Sequence, residues 1–114
     1  MKIFLDDERI GVEGWITVRP SEFPSFYNEN CELIEKISFD HDLGCDEHGK
    51  EYPSGYDFFR EIEHQYYIGD IIPPYMYVHS ANPSGSRNLV LGIESLNRRV
   101  GRSYYDPRIF PDQE

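Results

Sequence analysis

Short apolar runs that end abruptly in acidic or polar residues recur along this chain, and they set its layout. Lys2 to Leu5 is such a run, broken at once by Asp6, Asp7 and Glu8, and it reads as a buried strand with a polar carboxyl end. Gly11 and Gly14 mark a turn, and Trp15 to Val18, rich in β-formers and closed by Pro20, predicts a second strand. From Ser21 to about Lys36, the residues Phe23, Phe26, Leu33 and Ile34 fit an interrupted helix with Pro24 in its first turn. Ile37 to Phe39 then runs into Asp40, His41 and Asp42, which repeats the strand-into-acid pattern, and a polar, glycine-containing loop continues to Ser54. Ser54 or a neighbour caps a predicted helix from Gly55 to Ile68, where Tyr56, Phe59, Ile62 and Tyr66 recur at three- and four-residue steps. After Gly69, Pro73 and Pro74, the run Tyr75 to Val78 predicts a strand that delivers His79 and Ser80 at its end. Asn82, Pro83, Ser84, Gly85 and Ser86 read as a turn, and Asn88 to Arg99 as a helix with Leu89, Ile93 and Leu96 on one stripe. From about Gly101 to Glu114 the chain reads as an irregular tail.

Strands alternating with helices predict an α/β domain with a mainly parallel sheet of four or five strands covered on both faces. The 114 residues suffice for one compact domain, spanning 1–114, and are too few for two. In open sheets of this class, ligands bind outside the carboxyl ends of the strands, where the strand order reverses. Right-handed crossovers would bring Asp6 and Asp7, Asp40 to Asp42, and His79 to Asn82 to that one rim.

Composition narrows the partners. Acidic residues outnumber basic ones, 21 against 11, for a formal charge of -10, which repels a nucleic-acid backbone and excludes a long duplex as the expected partner. The aromatic content of 15% accompanies this acidity and points to a packed interior rather than a disordered acidic chain. Cys31 and Cys45 stand in no paired metal spacing, and the start MKIFLDDER lacks a signal-peptide core. With no apolar spanning segment either, a reducing cytoplasm is the expected location and a membrane is not an expected partner.

The predicted rim carries a specific chemistry. Asp6, Asp7 and Asp40, with Asp42 as a further candidate, supply the hard oxygen ligands that Mg2+ prefers, and such an ion keeps positions open for phosphate oxygens. The plainer alternative is that one carboxylate caps a helix and the rest are solvated. His41 and His79 end different strands, so one could act as base and the other as acid near neutral pH. Ser80, Asn82, Ser84, Gly85, Ser86 and the first amides of the next helix form a candidate phosphate cradle, with Arg87 and Arg9 as added charges. An ordinary capped turn would look the same in sequence.

Taken together, LDDER, SFDHDLG, SGYDFFREI and VHSANPSG resemble the motifs of cyclic-phosphate processing receiver domains, in the right order and over most of the chain. The resemblance implies a receiver-like, flavodoxin-like three-layer sandwich and an action on cyclic or terminal phosphates of nucleotides or RNA ends. It places Asp6, Asp7, Asp40, His41, Asp42, His79, Ser80 and Asn82 in the site, with His41, His79, Asp40 and Ser80 as the catalytic candidates. Ordinary two-component receivers are similar in a weaker way: Asp6 and Asp7 match their acidic metal pair, Asp40 their phosphorylated aspartate and Ser80 their strand-end hydroxyl. Those receivers also need a lysine after a fifth strand, whereas the last lysine here is Lys50. The expected function is therefore a metal-dependent phosphoesterase acting on small cyclic or phosphorylated nucleotides or RNA ends. The alternatives are a non-catalytic phosphate- or nucleotide-binding module and a phospho-accepting receiver.

Overall fold

A computed structural model describes residues 1–80 and 83–111 of the chain. Four strands, β1 (Lys2–Leu5), β2 (Ile16–Val18), β3 (Lys36–Phe39) and β4 (Tyr75–Val78), form one sheet in the order β2-β1-β3-β4, and every pairing is parallel. Three helices accompany them: α1 (Phe23–Asn30), α2 (Gly55–Gly69) and α3 (Pro83–Val100). This is the receiver-like α/β fold expected, and its switch in strand order falls between β1 and β3. The register is flush: Leu5 pairs with both Val18 and Phe39, and Phe39 pairs with Val78. The next residues along the chain, Asp6, Arg19, Asp40 and His79, therefore leave the sheet side by side.

Alternation along the strands divides the molecule into two unequal halves. Ile3, Leu5, Ile37, Phe39, Met76 and Val78 point to one face, where they join Phe23 and Tyr27 of α1, Phe58, Phe59 and Ile62 of α2, and Leu89, Ile93 and Leu96 of α3 in one core. The opposite face carries Phe4, Ser38 and Tyr77. The expected three-layer sandwich lacks its second helical layer among the described residues, because loop and tail rings take its place: Trp15 and Phe110 pack together at 4.8 Å, Phe110 meets Phe4 at 6.2 Å, and Tyr105 meets Tyr77 at 5.1 Å between ring centres. Residues 101–111 are thus held by contact with the sheet. Val78 N–H donates to Pro107 O at 2.8 Å, and the Tyr105 hydroxyl both accepts from Met76 N–H and donates to Met76 O at 3.0 Å. One phenol thereby satisfies edge groups that a fifth strand would take, and no fifth strand occurs among the described residues. Arg102 fastens the tail's start, donating to the carbonyls of Pro73 and Pro74 with its guanidinium 4.1 Å from the centre of the Tyr75 ring.

Two helix boundaries differ from the sequence expectation. The helix expected from Ser21 to about Lys36 ends at Asn30, because Glu35 N–H already donates to Met1 O and Glu35 O accepts from Tyr75 N–H, so the chain must be extended before β3 begins. The turn expected at 82–86 is instead largely helix: α3 starts at Pro83 rather than Asn88, since proline costs nothing in a first helical turn. By contrast α2 has the expected cap, with Ser54 Oγ accepting from Asp57 N–H and the Asp57 carboxylate accepting from Ser54 N–H. Both cysteines are free thiols, and no helix among the described residues is long and apolar enough to cross a membrane.

Candidate functional site

Asp6 follows directly on β1, is fully buried, and has donors at both carboxylate oxygens. Oδ1 accepts from the N–H groups of Glu8 and Arg9, each at 2.8 Å, while Oδ2 accepts from Arg9 Nε at 3.1 Å and lies 3.0 Å from His79 Nε2. Burial alone would push its pKa up, but the two amides, the His79 contact and the Arg9 charge outweigh it and hold the carboxyl below its ordinary value. Arg19 keeps this turn in shape, donating from Nη1 to the carbonyls of Asp6 and Arg9 at 3.1 and 3.0 Å.

Asp40 follows β3 and is also buried, but its surroundings act in the opposite sense. Burial first, then the charge of Asp6, push its pKa up, with Asp7 adding to the repulsion and Arg9 opposing it from 3.6 Å. Its backbone is wedged under α2: a Cβ on Gly55 would stand 2.3 Å from Asp40 O, so only glycine lets the helix start so close to the site. Gly44, at φ +75°, does the same for Asp7, whose Oδ2 would lie 2.7 Å from a Cβ there. Asp6, Asp7, Glu8, Arg9, Asp40, Asp42, Gly44 and Ser80 line one cleft of about 580 Å³. All four predicted metal ligands thus line the same cleft as the predicted Arg9 and Ser80.

The two histidines are placed differently. His79 stacks on Phe4, 4.0 Å between ring centres and 9° between planes, and both its nitrogens are engaged, Nδ1 by Ser38 Oγ at 2.7 Å and Nε2 by Asp6. Burial, only partly offset by Asp6, lowers its pKa to about 4, so it is neutral near pH 7. His41 lines an adjoining recess with Leu43, Cys45, Glu51, Tyr52 and Ser54, sharing Asp42 and Gly44 with the acidic cleft. Its Nδ1 lies 3.1 Å from Asp42 Oδ1. Neither ring lines the acidic cleft itself.

The expected phosphate cradle is dispersed. Ser84, Gly85, Ser86 and Arg87 belong to the first turns of α3, where Ser86 and Arg87 line a separate groove beside Val90, Leu91, Glu94 and Arg108. Arg87 therefore lines that groove and not the acidic cleft. Asn82 lies outside the described residues. Sequence reasoning passed over Ser38, Phe4 and Arg19; for Ser38 the available signal was a hydroxyl interrupting the apolar run Lys2-to-Leu5's partner, KISF.

As a donor set the cleft fits a hard divalent ion. Two buried carboxylates, with a third on the same cleft, repel one another, and oxygen donors at a strand rim are what a magnesium-class ion takes. Ligand atoms of Asp6, Asp40 and His79 all lie within 4.8 Å of one another.

No curated protein and no solved structure matches the chain. A family model described as the cyclic-phosphate processing receiver domain matches residues 1–95, which takes in all four strands, α1, α2, most of α3 and every residue of the cleft. The match covers well over half of the chain, and the chain belongs to the family of cyclic-phosphate processing receiver domains.

Proposed function

We propose that this receiver domain is a metal-dependent phosphoesterase acting on cyclic or terminal phosphates of nucleotides or RNA ends. The reading is carried by one observation: the buried carboxylates of Asp6 and Asp40 meet at the strand-order switch, in a cleft that also holds Asp7, Arg9 and Ser80. Asp6, Asp7 and Asp40 would hold a magnesium-class ion, with Asp42 beside them. Bound there, the ion would draw charge from phosphate oxygens and make the phosphorus easier to attack.

The chain's own groups supply the rest. Arg9 already reaches both Asp6 and Asp40, and its guanidinium, half exposed, offers a planar cation to a phosphate oxygen. Asp42, shared by the cleft and the recess of His41, holds that ring through Nδ1 and leaves Nε2 to accept the proton of an attacking water where the two spaces adjoin. Water then forms the new bond to phosphorus, the bond to one ribose oxygen breaks, and that oxygen leaves with the proton that His41 took from the water, giving a phosphomonoester from a cyclic phosphate and free phosphate from a terminal one. The net charge of -10 favours a small nucleotide or a chain end over a duplex.

The test is incubation of the full chain with 2′,3′-cyclic and 3′,5′-cyclic nucleotides and with 3′-phosphorylated RNA ends, with Mg2+ or with a chelator. Phosphomonoester or free phosphate should form with Mg2+ and disappear with chelator or in Asp40→Asn. His41→Ala should slow turnover by about a hundredfold or more, the usual contribution of a positioned acid–base group. Binding without turnover would instead establish a recognition module, and an acid-labile phosphate on Asp40 after acetyl phosphate treatment would establish a phospho-accepting receiver.

A further inference from the structure

Ser38 lies in the middle of β3, fully buried, on the sheet face turned away from the helices. Its Oγ is 2.7 Å from His79 Nδ1, and His79 Nε2 is 3.0 Å from Asp6 Oδ2. The same Oδ2 accepts from Arg9 Nε, and Oδ1 accepts two backbone N–H groups, so the Asp6 carboxylate acts as an acceptor throughout. The hydrogen of a neutral imidazole must then sit on Nε2, which leaves a lone pair on Nδ1 for the Ser38 hydroxyl. With a side chain 10% exposed and a ring face covered by Phe4, His79 has neither a proton nor a lone pair left for a ligand.

We propose that Ser38 and His79 form a buried brace that holds the Asp6 carboxylate in the orientation the cleft requires, making both of them positioning residues. The brace rests on the reading of the acidic cleft as an ion and phosphate site, and it gives the two histidines different work: His41 faces a recess, His79 faces inward. Outer partners of this kind fix the direction of a ligand's lone pairs, and their removal weakens ion binding although they never touch the ion. His79 stands close enough to Asp6 and Asp40 to look like a third ligand, but a nitrogen that carries the hydrogen of a hydrogen bond cannot also donate to a cation.

Two measurements on the full chain decide it. The first is the tautomer of His79 in the wild type, read from long-range nitrogen–proton NMR correlations. The Nε2–H form is expected, in Ser38→Ala as well because Asp6 imposes it; an Nδ1–H ring in the wild type overturns the brace whether or not any ion binds. The second is titration with Mg2+ and Mn2+ of the wild type, Ser38→Ala, His79→Leu and His79→Gln. His79→Leu should weaken binding by about tenfold to a hundredfold, the usual loss for such outer partners. His79→Gln can still aim an N–H at Asp6 and should recover most of that loss, whereas a glutamine variant as weak as the leucine one would make His79 a ligand and end the proposal. Should His79→Leu not fold, Ser38→Ala carries the same comparison. A wild type that takes up neither ion sinks the metal reading of the cleft, and the tautomer then decides the brace by itself.

Discussion

Asp6 and Asp40 are neighbours at the sheet rim but opposites in energetics. Asp6 takes part in four donor contacts and is held ionised, so its charged form supports the fold above its ordinary pKa of 3.8 and that support is lost as pH falls below it. Asp40 has its pKa raised by burial and by Asp6, so its charge costs stability, and the cost appears as pH rises through the raised value. In chelator at pH 7, Asp40→Asn should therefore stabilise the protein by about 1 kcal/mol, or about 4 °C in Tm, as relief of strain at functional sites commonly does. Asp6→Ala should destabilise it by about 3 kcal/mol, because it leaves His79 and two part-buried amides without their acceptor. Thermal melts of the two variants check the pair, and equal shifts of one sign would contradict the assignment. Both aspartates were legible in the sequence because an acid ending an apolar run has few other readings. Ser38 was not, since alternation along a strand hides a functional hydroxyl among positions that only face the other way.

Among the elements, α2 shows how a site is placed by a helix start. Its capping box joins Ser54 to Asp57, and the adjoining Gly55 N–H donates to His41 O at 3.0 Å, which ties the helix to the loop that carries His41 and Asp42. Ser54→Ala should cost about 1 kcal/mol, the usual value for a lost N-cap. Gly55→Ala should cost more, since its Cβ would stand 2.3 Å from the backbone oxygen of Asp40 and neither partner is a flexible side chain. Urea titrations should rank the two in that order, and an alanine at 55 that melts like the wild type would mean that α2 can withdraw from Asp40 freely. The cap was legible because its residues are local. The ends of α1 and α3 were not: strand pairing through Glu35 cuts the first short, and Pro83 reads as a turn in sequence although it opens a helix.

For the molecule as a whole, the sequence gives away the sheet and the helical core but not what covers the second face. Alternating residues point there as well as to the helices, yet the cover comes from Trp15, just before β2, and from Tyr105 and Phe110 in a tail with no periodic pattern to read. One consequence of packing so many rings is the alkaline limit of the fold. Tyr27, buried between α1 and the core, has its pKa pushed up to about 12 by burial, with Cys31 adding to the shift, and burial also raises that of Tyr105. Unfolded, a tyrosine ionises near pH 10, so between about pH 10 and 12 the native chain binds the proton more tightly than the unfolded one. Stability is thus complete below pH 10 and falls as pH climbs through the native pKa. Replacing Tyr27 by Phe removes the group that ionises on unfolding. The variant should lose about 2–3 kcal/mol less than the wild type between pH 9 and 12, at one proton shifted by two pKa units. Tyr105→Phe is a poorer probe of the same effect, because it also takes the hydrogen bonds from Met76 at the sheet edge. Denaturant titrations of Tyr27→Phe and wild type at pH 9 and at pH 12 make the comparison, and two curves that decline in parallel would mean that the phenol ionises as easily inside the fold as outside it.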